Sequence, residues 1–341
     1  MVQKIREFIK LSKHLTWSRC VNVLHVWSTY WLSRIWPALQ PMSPISVSIE
    51  PTTACNLGCP ECPSGLKMFE RPTGNAAIGN VEAWLDQLAK RTVYVNFYFQ
   101  GEPFIHPQFL QLVQKAVARG LFTSTSTNGH FLHDELARKT VESGLHRLII
   151  SIDGLTQEVY EQYRIHGRLD KVIEGTRNIT KWKDELQSST PEVIFQFLVV
   201  APNEHQMKDV MQLANSLGVD EVRFKTAQLY QYEHGHPLMP KNEKYSRYKR
   251  MKDGTYRVKN ALDNHCWRMW SGCVITWDGR VVPCCFDKDA SHALGQLGVQ
   301  NMQAIWKSNA YQAFRRAVMT SRSQIDICSN CSEGTRVWTE S

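Results

Sequence analysis

The period of apolar and polar positions switches repeatedly along the chain, and each switch predicts a change of element. From residue 45 to about residue 227, short β-branched or aromatic runs alternate with segments of helical period. The strand-like runs cover residues 47–49, 93–99, 122–126, 147–152, 193–200 and 221–225, and the helical segments cover 81–89, 107–118, 134–141, 169–182 and 204–216. Six strands alternating with helices specify parallel βα units, which right-handed crossovers curl into an open barrel. The expected fold class is therefore α/β, a partial (β/α)6 TIM-like barrel with its chemistry at the carboxyl ends of the strands.

The flanks read differently. Residues 1–44 start as an amphipathic segment, with Ile5, Phe8, Ile9 and Leu15 set against Lys4, Lys10 and Lys13, and continue into an aromatic run with Trp17, Trp27, Tyr30, Trp31 and Trp36. The longest uncharged stretch within residues 1–44, 20–33, is too short and too polar for a bilayer that takes about 20 apolar residues to cross. No small-residue cleavage site follows it, which argues against a signal peptide. Two readings of this helical extension fit: a helix lying in a membrane interface, or one packed on the barrel or on a partner through residues 1–36. Pro37, Pro41 and Pro44 end it. Residues 228–265 are polar and read as a linker with a helix, leaving 266–341 as a small second domain.

A chain of 341 residues can bury one large core and a smaller one, and its 43% hydrophobic content is ordinary for a globular protein. Of the formal net charge of +8, most comes from residues 1–44, where six basic residues face Glu7 alone. The near balance elsewhere excludes a nucleic-acid groove, which needs its basic residues clustered on the folded domain. Ten cysteines, several of them crowded together, point to metal ligation and a reducing compartment, so cytoplasm is expected.

Three of those cysteines lie in Cys55-Asn56-Leu57-Gly58-Cys59-Pro60-Glu61-Cys62, directly after the first strand. Three thiolates on a loop with Gly58 and Pro60 can wrap one face of an iron–sulfur cube, leaving one iron with an open position. Zinc is the alternative, although zinc sites more often show two separated Cys/His pairs. A second set comprises Cys266, Cys284 and the pair Cys328 and Cys331. Between the first two, residues 274–282 alternate around Asp278-Gly279 as a hairpin, which brings its flanks together. A helix through 301–316 then delivers Cys328 and Cys331 as the remaining ligands of a second cluster or a tetrathiolate zinc, with Cys273 and Cys285 as spares or alternates.

The C-x3-C-x2-C loop after the first strand resembles the signature of radical S-adenosylmethionine (SAM) enzymes, and residues 266–331 resemble the SPASM/twitch extension of that family. The resemblance implies a SAM-binding [4Fe-4S] cluster on Cys55, Cys59 and Cys62, whose open iron is chelated by SAM. Reduction of that cluster releases a 5′-deoxyadenosyl radical that takes a hydrogen from substrate. It also implies an auxiliary [4Fe-4S] cluster on Cys266, Cys284, Cys328 and Cys331, and an electron donor such as flavodoxin or ferredoxin.

Further motifs carry over residue by residue. Gly101-Glu102-Pro103, after Gln100, is similar to the family's GGEP turn, which would hold the SAM amino group. Thr127-Asn128-Gly129 resembles its TNG turn, though Asn-Gly is a turn former whatever its role. Ser151 and Asp153, in Ser-Ile-Asp-Gly, are expected at the ribose hydroxyls. Arg164 either reaches the SAM carboxylate or sits on a solvated helix face. Gln196 points into the barrel toward SAM or substrate, or into a core hydrogen bond. Val199 to Asn203 resembles the segment that edges the adenine. Arg223 and Lys225 share a strand face and either grip an anionic substrate or serve as ordinary flanking charges. The residue before the third cysteine, often aromatic in the family, is Glu61 here.

A single closed auxiliary cluster is limited to electron transfer, so the expected reaction is a two-electron dehydrogenation of a sugar or aminocyclitol-like molecule. Radical modification of a peptide is the runner-up, and a non-catalytic iron–sulfur or zinc scaffold is the contrasting class. No general base is assigned, since Glu221 and Lys225 rest on strand parity alone.

Overall fold

The structure, a computed structural model, describes residues 7, 9–259, 262–333 and 339–340. Ile5, Phe8, Lys4 and Arg6 of the amphipathic segment lie outside the described residues. In chain order the elements are α1 (Trp17–Leu32), β1 (Ser46–Ile49), α2 (Pro63–Leu66), α3 (Ile78–Leu88), β2 (Tyr94–Asn96), α4 (Phe109–Val117), β3 (Phe122–Thr127), α5 (Asp134–Glu142), β4 (Arg147–Ser151), α6 (Gln157–Tyr163), α7 (Leu169–Glu185), β5 (Glu192–Val199), α8 (Met207–Ser216) and β6 (Glu221–Thr226). There follow β7 (Tyr248–Arg250), β8 (Tyr256–Val258), α9 (Trp267–Ser271), β9 (Gly272–Ile275), β10 (Arg280–Val282), β11 (Gly295–Gln296), α10 (Met302–Trp306), α11 (Asn309–Ser321), α12 (Asp326–Ser329) and β12 (Thr339–Glu340). The expected alternation of parallel strands and helices is present, and the fold is the partial TIM-like barrel type. No described helix is long and apolar enough to cross a membrane.

The chain folds as two compact units, one of Met1–Thr53, Glu70–Ser124 and Asp263–Glu333, the other of Ala54–Phe69, Thr125–Leu262 and Gly334–Ser341. In the first, β1 pairs in parallel with β2, and β2 with β3. Val47 and Ile49 alternate inward, as a strand with two-residue period requires. The C-terminal cysteine hairpin is not a separate appendage to this sheet. Strand β9 runs parallel to β1, with Val47 opposite Cys273 and Ile49 opposite Ile275, and β10 and β11 continue outward antiparallel. The single helix expected over 301–316 is divided, because Ser308 caps a new helix, its hydroxyl accepting from the Tyr311 N–H at 3.1 Å.

In the second unit β4, β5 and β6 are parallel, in register Ser151, Gln196, Arg223. All five residues of β4 are buried, with Leu148, Ile149 and Ile150 as its apolar middle, so the strand is covered on both faces and shows no alternation. Residues 228–259 contain no α-helix among those described. They form a short antiparallel hairpin of β7 and β8, with Tyr248 stacked on Tyr232 at 4.2 Å. Tyr248, Leu229, Leu238 and Ala227 pack into one apolar cluster with Leu57 and Cys59. The segment read as a linker is thus part of the packing around the cysteine loop.

At the end of β1, Glu50 and Arg71 form a fully buried, two-pronged ion pair at 2.6 and 2.8 Å. Glu50 also accepts from the Trp277 N–H, and Arg71 donates to the Lys288 carbonyl, so the pair stitches β1 to the hairpin region. Burial pushes the Glu50 carboxyl up, against the pull of Arg71. Removing one partner strands a buried charge, whereas removing both does not. Arg71→Met is expected to lower unfolding stability by about 3–5 kcal/mol, and Glu50→Leu/Arg71→Met by much less, as read by denaturant titration.

Candidate functional site

The cysteine loop lies in the second unit, and its shape follows from backbone constraints. The Cys62 N–H donates to the Cys59 carbonyl at 3.2 Å, and Pro63 opens the single helical turn α2. Gly65 in that turn lies flat against the loop: a Cβ there would stand 2.6 Å from Cys59 N and 2.8 Å from Cys59 O. Gly58 donates to the Ile165 carbonyl at 2.9 Å, tying the loop to the chain after α6. Cys59 is buried, while Cys55 and Cys62 are half-buried.

Residues assigned to separate roles by sequence meet here. Asp153 Oδ2 accepts from Arg164 Nε at 2.6 Å, and Asp153 Oδ1 accepts from the Leu198 N–H at 2.6 Å. Arg164 Nη1 in turn points at Cys59 Sγ, 3.8 Å away. Burial opposes the charge on Arg164, but Asp153 and Cys59 more than offset it and hold the guanidinium protonated. Burial likewise pushes the Cys59 thiol up, with Arg164 pulling the other way. Asn128 donates to Asn56 Oδ1 at 2.8 Å, which fixes the TNG turn against the cysteine loop. Ser151 is buried at the end of β4, opposite the half-buried Gln196 of β5. Arg223 forks onto Glu221 at 2.6 and 2.8 Å, so each of these candidates for substrate or base work engages the other.

Two contributions were not read from sequence. Glu61 accepts from the Tyr230 N–H at 2.8 Å and contacts His236 Nε2 at 3.2 Å, so this carboxylate clasps the 229–239 segment to the cysteine loop. Asn203 donates to the carbonyls of Asp153 and Leu198 at 3.0 and 2.9 Å, bracing the two strand ends. Its only signal was its place in the Val199–Asn203 stretch.

In the first unit, Gly101 adopts a left-handed φ of 73°, which favours glycine. Glu102 is buried and accepts the Phe104 N–H at 3.1 Å, while Pro103 opens a 3-10 turn. The same unit assembles the second cysteine set. Cys284 lies within electrostatic reach of Cys285, Cys266 and Cys331, and Cys328 within reach of Cys331 and Cys266. Burial pushes the Cys328 thiol up to about 11, with Arg322 opposing. Cys273 stands apart on β9, pushed up to about 12 by burial, with Arg315 as its charged neighbour.

The donors around these sulfurs suit thiolate ligands. Arg322 Nη2 and the Glu333 N–H point at Cys331 Sγ at 3.4 and 3.3 Å, and the Leu57 N–H points at Cys55 Sγ at 3.5 Å. Among the described residues no three His, Cys, Asp or Glu side chains converge on a single-ion point. A cubane spreads its ligands wider, because each thiolate meets a different iron.

Comparison with known proteins agrees with this geometry. Residues 49–214 match the radical SAM superfamily, and residues 266–332 match SPASM, an iron–sulfur cluster-binding domain. A tungsten-containing aldehyde ferredoxin oxidoreductase cofactor-modifying protein of Pyrococcus furiosus is 24% identical over 83% of this chain and 86% of its own. The mycofactocin maturase MftC of Mycobacterium ulcerans is 28% identical, but over only 52% of this chain and 46% of its own. Among solved structures, Streptococcus suis SuiB bound to S-adenosylmethionine superposes with a TM-score of 0.64 at 12% identity, over 89% of this chain and 75% of that one. BtrN in complex with AdoMet and 2-DOIA superposes at 0.51 and 16% identity, over 85% and 94%. The chain therefore belongs to the radical SAM superfamily and carries a SPASM domain. Membership brings a [4Fe-4S] cluster, SAM and auxiliary iron–sulfur chemistry.

Gly65→Ala is expected to displace the Cys59 backbone and remove about half of the reconstituted iron while the fold survives. Iron assay with circular dichroism checks this; full iron content in the variant would contradict the loop geometry.

Proposed function

We propose that the protein is a SAM-dependent dehydrogenase of a hydroxyl-bearing small molecule of the sugar or aminocyclitol class. The observation that carries the reading is the Cys266, Cys284, Cys328 and Cys331 set, which has enough ligands for one closed cluster. Cys55, Cys59 and Cys62 would hold the SAM-binding cluster. When bound, these groups supply a hydrogen-abstracting 5′-deoxyadenosyl radical and an acceptor for a second electron. The net change at substrate is loss of a hydrogen atom from carbon, then a proton and an electron, turning H–C–O–H into C=O.

The chain's own residues supply position and charge. Arg164, held by Asp153, places a fixed cation beside the cysteine loop, where it favours thiolate and would meet an anionic group such as a carboxylate. Arg322 and Arg268 do the same at the second set: Arg268 lies within reach of Cys284 and Cys285, and Arg322 touches Cys331. Cations beside a cluster raise its potential and so favour its accepting an electron. The similarity to BtrN, solved with 2-DOIA, supports the small-molecule reading.

A peptide substrate is the second reading. It is favoured by similarity to the PqqA peptide cyclase of Gluconobacter oxydans, 24% identical over 80% of this chain and 77% of its own, and to MftC.

Anaerobic reconstitution, reduction and addition of SAM should give about eight irons per chain and 5′-deoxyadenosine. With a panel of polyols and aminocyclitols, a carbonyl product should form in proportion to the nucleoside. Cys328→Ala/Cys331→Ala should keep nucleoside formation and lose the carbonyl product. Nucleoside formation stimulated only by peptides would overturn the dehydrogenase reading, and its complete absence would overturn the enzyme reading.

A further inference from the structure

Helix α1 is built inside out. A surface helix ordinarily turns its apolar stripe to the core and its polar side to water. Here the buried residues are Arg19, Asn22, Thr29 and a single apolar one, Val26. Arg19 is buried and donates to the carbonyls of Ala89, His14, Gly120 and Arg119 at 2.6 to 3.1 Å. Asn22 is buried against the carbonyls of Ser43 and Arg91, and Ser33 is buried against His265. The outward side is apolar: Trp17, Leu24 and Trp27 are 83%, 66% and 57% exposed, and Trp31, Ile35 and Trp36 are exposed as well. Positions 24, 27, 31 and 35 recur at three and four residues, so they form one stripe along the helix and its extension. Rotating the helix to hide that stripe would strand the buried Arg19 and Asn22 away from the backbone carbonyls that accept from them. The exposure is therefore locked in by the fold.

We propose that this stripe is a docking surface for the headgroup layer of an anionic lipid bilayer. Three observations select that occupant. At 16 residues α1 is about 24 Å long and cannot span a membrane, but it can lie along one. Tryptophan, with an apolar ring and one N–H, is the side chain suited to the boundary between headgroup and hydrocarbon, and four of the six outward residues are tryptophans. The charge is complementary: no acidic residue occurs from Trp17 to Trp36, Lys13 is exposed just before the helix, and residues 1–44 carry six basic side chains against one acidic, of which Arg19 is buried and Arg34 pairs with Asp263 at 2.8 Å. A second copy of the chain on the same face would instead set two basic segments against each other.

The test uses the full-length reconstituted protein in vesicle flotation, with phosphatidylcholine alone and with added phosphatidylglycerol. Flotation only with the anionic vesicles, a blue shift of tryptophan emission on binding, and weakening by added salt are expected. Trp27→Ser and Trp31→Ser should each lower the partition coefficient about tenfold while iron content and 5′-deoxyadenosine formation stay at wild-type levels. Failure of the wild-type protein to float would overturn the proposal. So would a dimer in sedimentation velocity that these substitutions convert to monomer without any vesicle binding, since the stripe would then be covered by a second copy.

Discussion

One guanidinium organises the surroundings of the cysteine loop. Arg164 reaches Asp153 with one nitrogen and Cys59 with another, so the end of β4, the end of α6 and the loop are joined through a single side chain. Asp153 is itself held by the Leu198 N–H, and Asn203 ties the backbone of both. The arrangement is charge-balanced in a buried setting, where an unpaired arginine or carboxylate would be costly. Gly65 completes it from the backbone side by letting the chain pass where a side chain would collide with Cys59, and Gly58 leaves room beside His166.

The second cysteine set repeats the device with different parts. Arg322 stands on Cys331, and Arg268 lies within reach of Cys284 and Cys285 while pairing with Glu333 at 2.7 Å. Each set of sulfurs thus has a fixed cation beside it. Buried thiols resist ionisation, whereas a coordinating metal deprotonates them outright, and nearby cations and N–H donors then help set the potential.

How much was legible depended on the length and burial of each element. Strands β3 to β6 appear within a residue or two of expectation: β4 and β5 carry dense apolar and β-branched stretches, β3 is rich in threonine, and β6 alternates Val222 and Phe224 with charged residues. Helix α6 has only seven residues, too few to display a period, yet it delivers Arg164. The hairpin of β7 and β8 has three residues per strand, and its tyrosines and lysines suggested a polar linker until Tyr248 proved buried. The cysteine spacings identified both sets, but spacing carries no information on pairing in space. Asp153 and Arg164 lie eleven residues apart across a helix, and nothing local announces that they face each other. Glu61 looked like a departure from the family pattern; its reason is the Tyr230 amide and His236, which lie about 170 residues further on. Helix α1 showed its tryptophans in the sequence, though not that Arg19 and Asn22 would take the inward side.

Electron paramagnetic resonance of the reduced, reconstituted protein, recorded with and without SAM, tests most directly the central claim that the two cysteine sets hold clusters of different kinds. Two overlapping signals are predicted, of which one shifts when SAM is added. Replacement of Cys55, Cys59 and Cys62 by alanine should abolish the shifting signal and leave the other in place. A single signal, or two that both ignore SAM, would contradict the account.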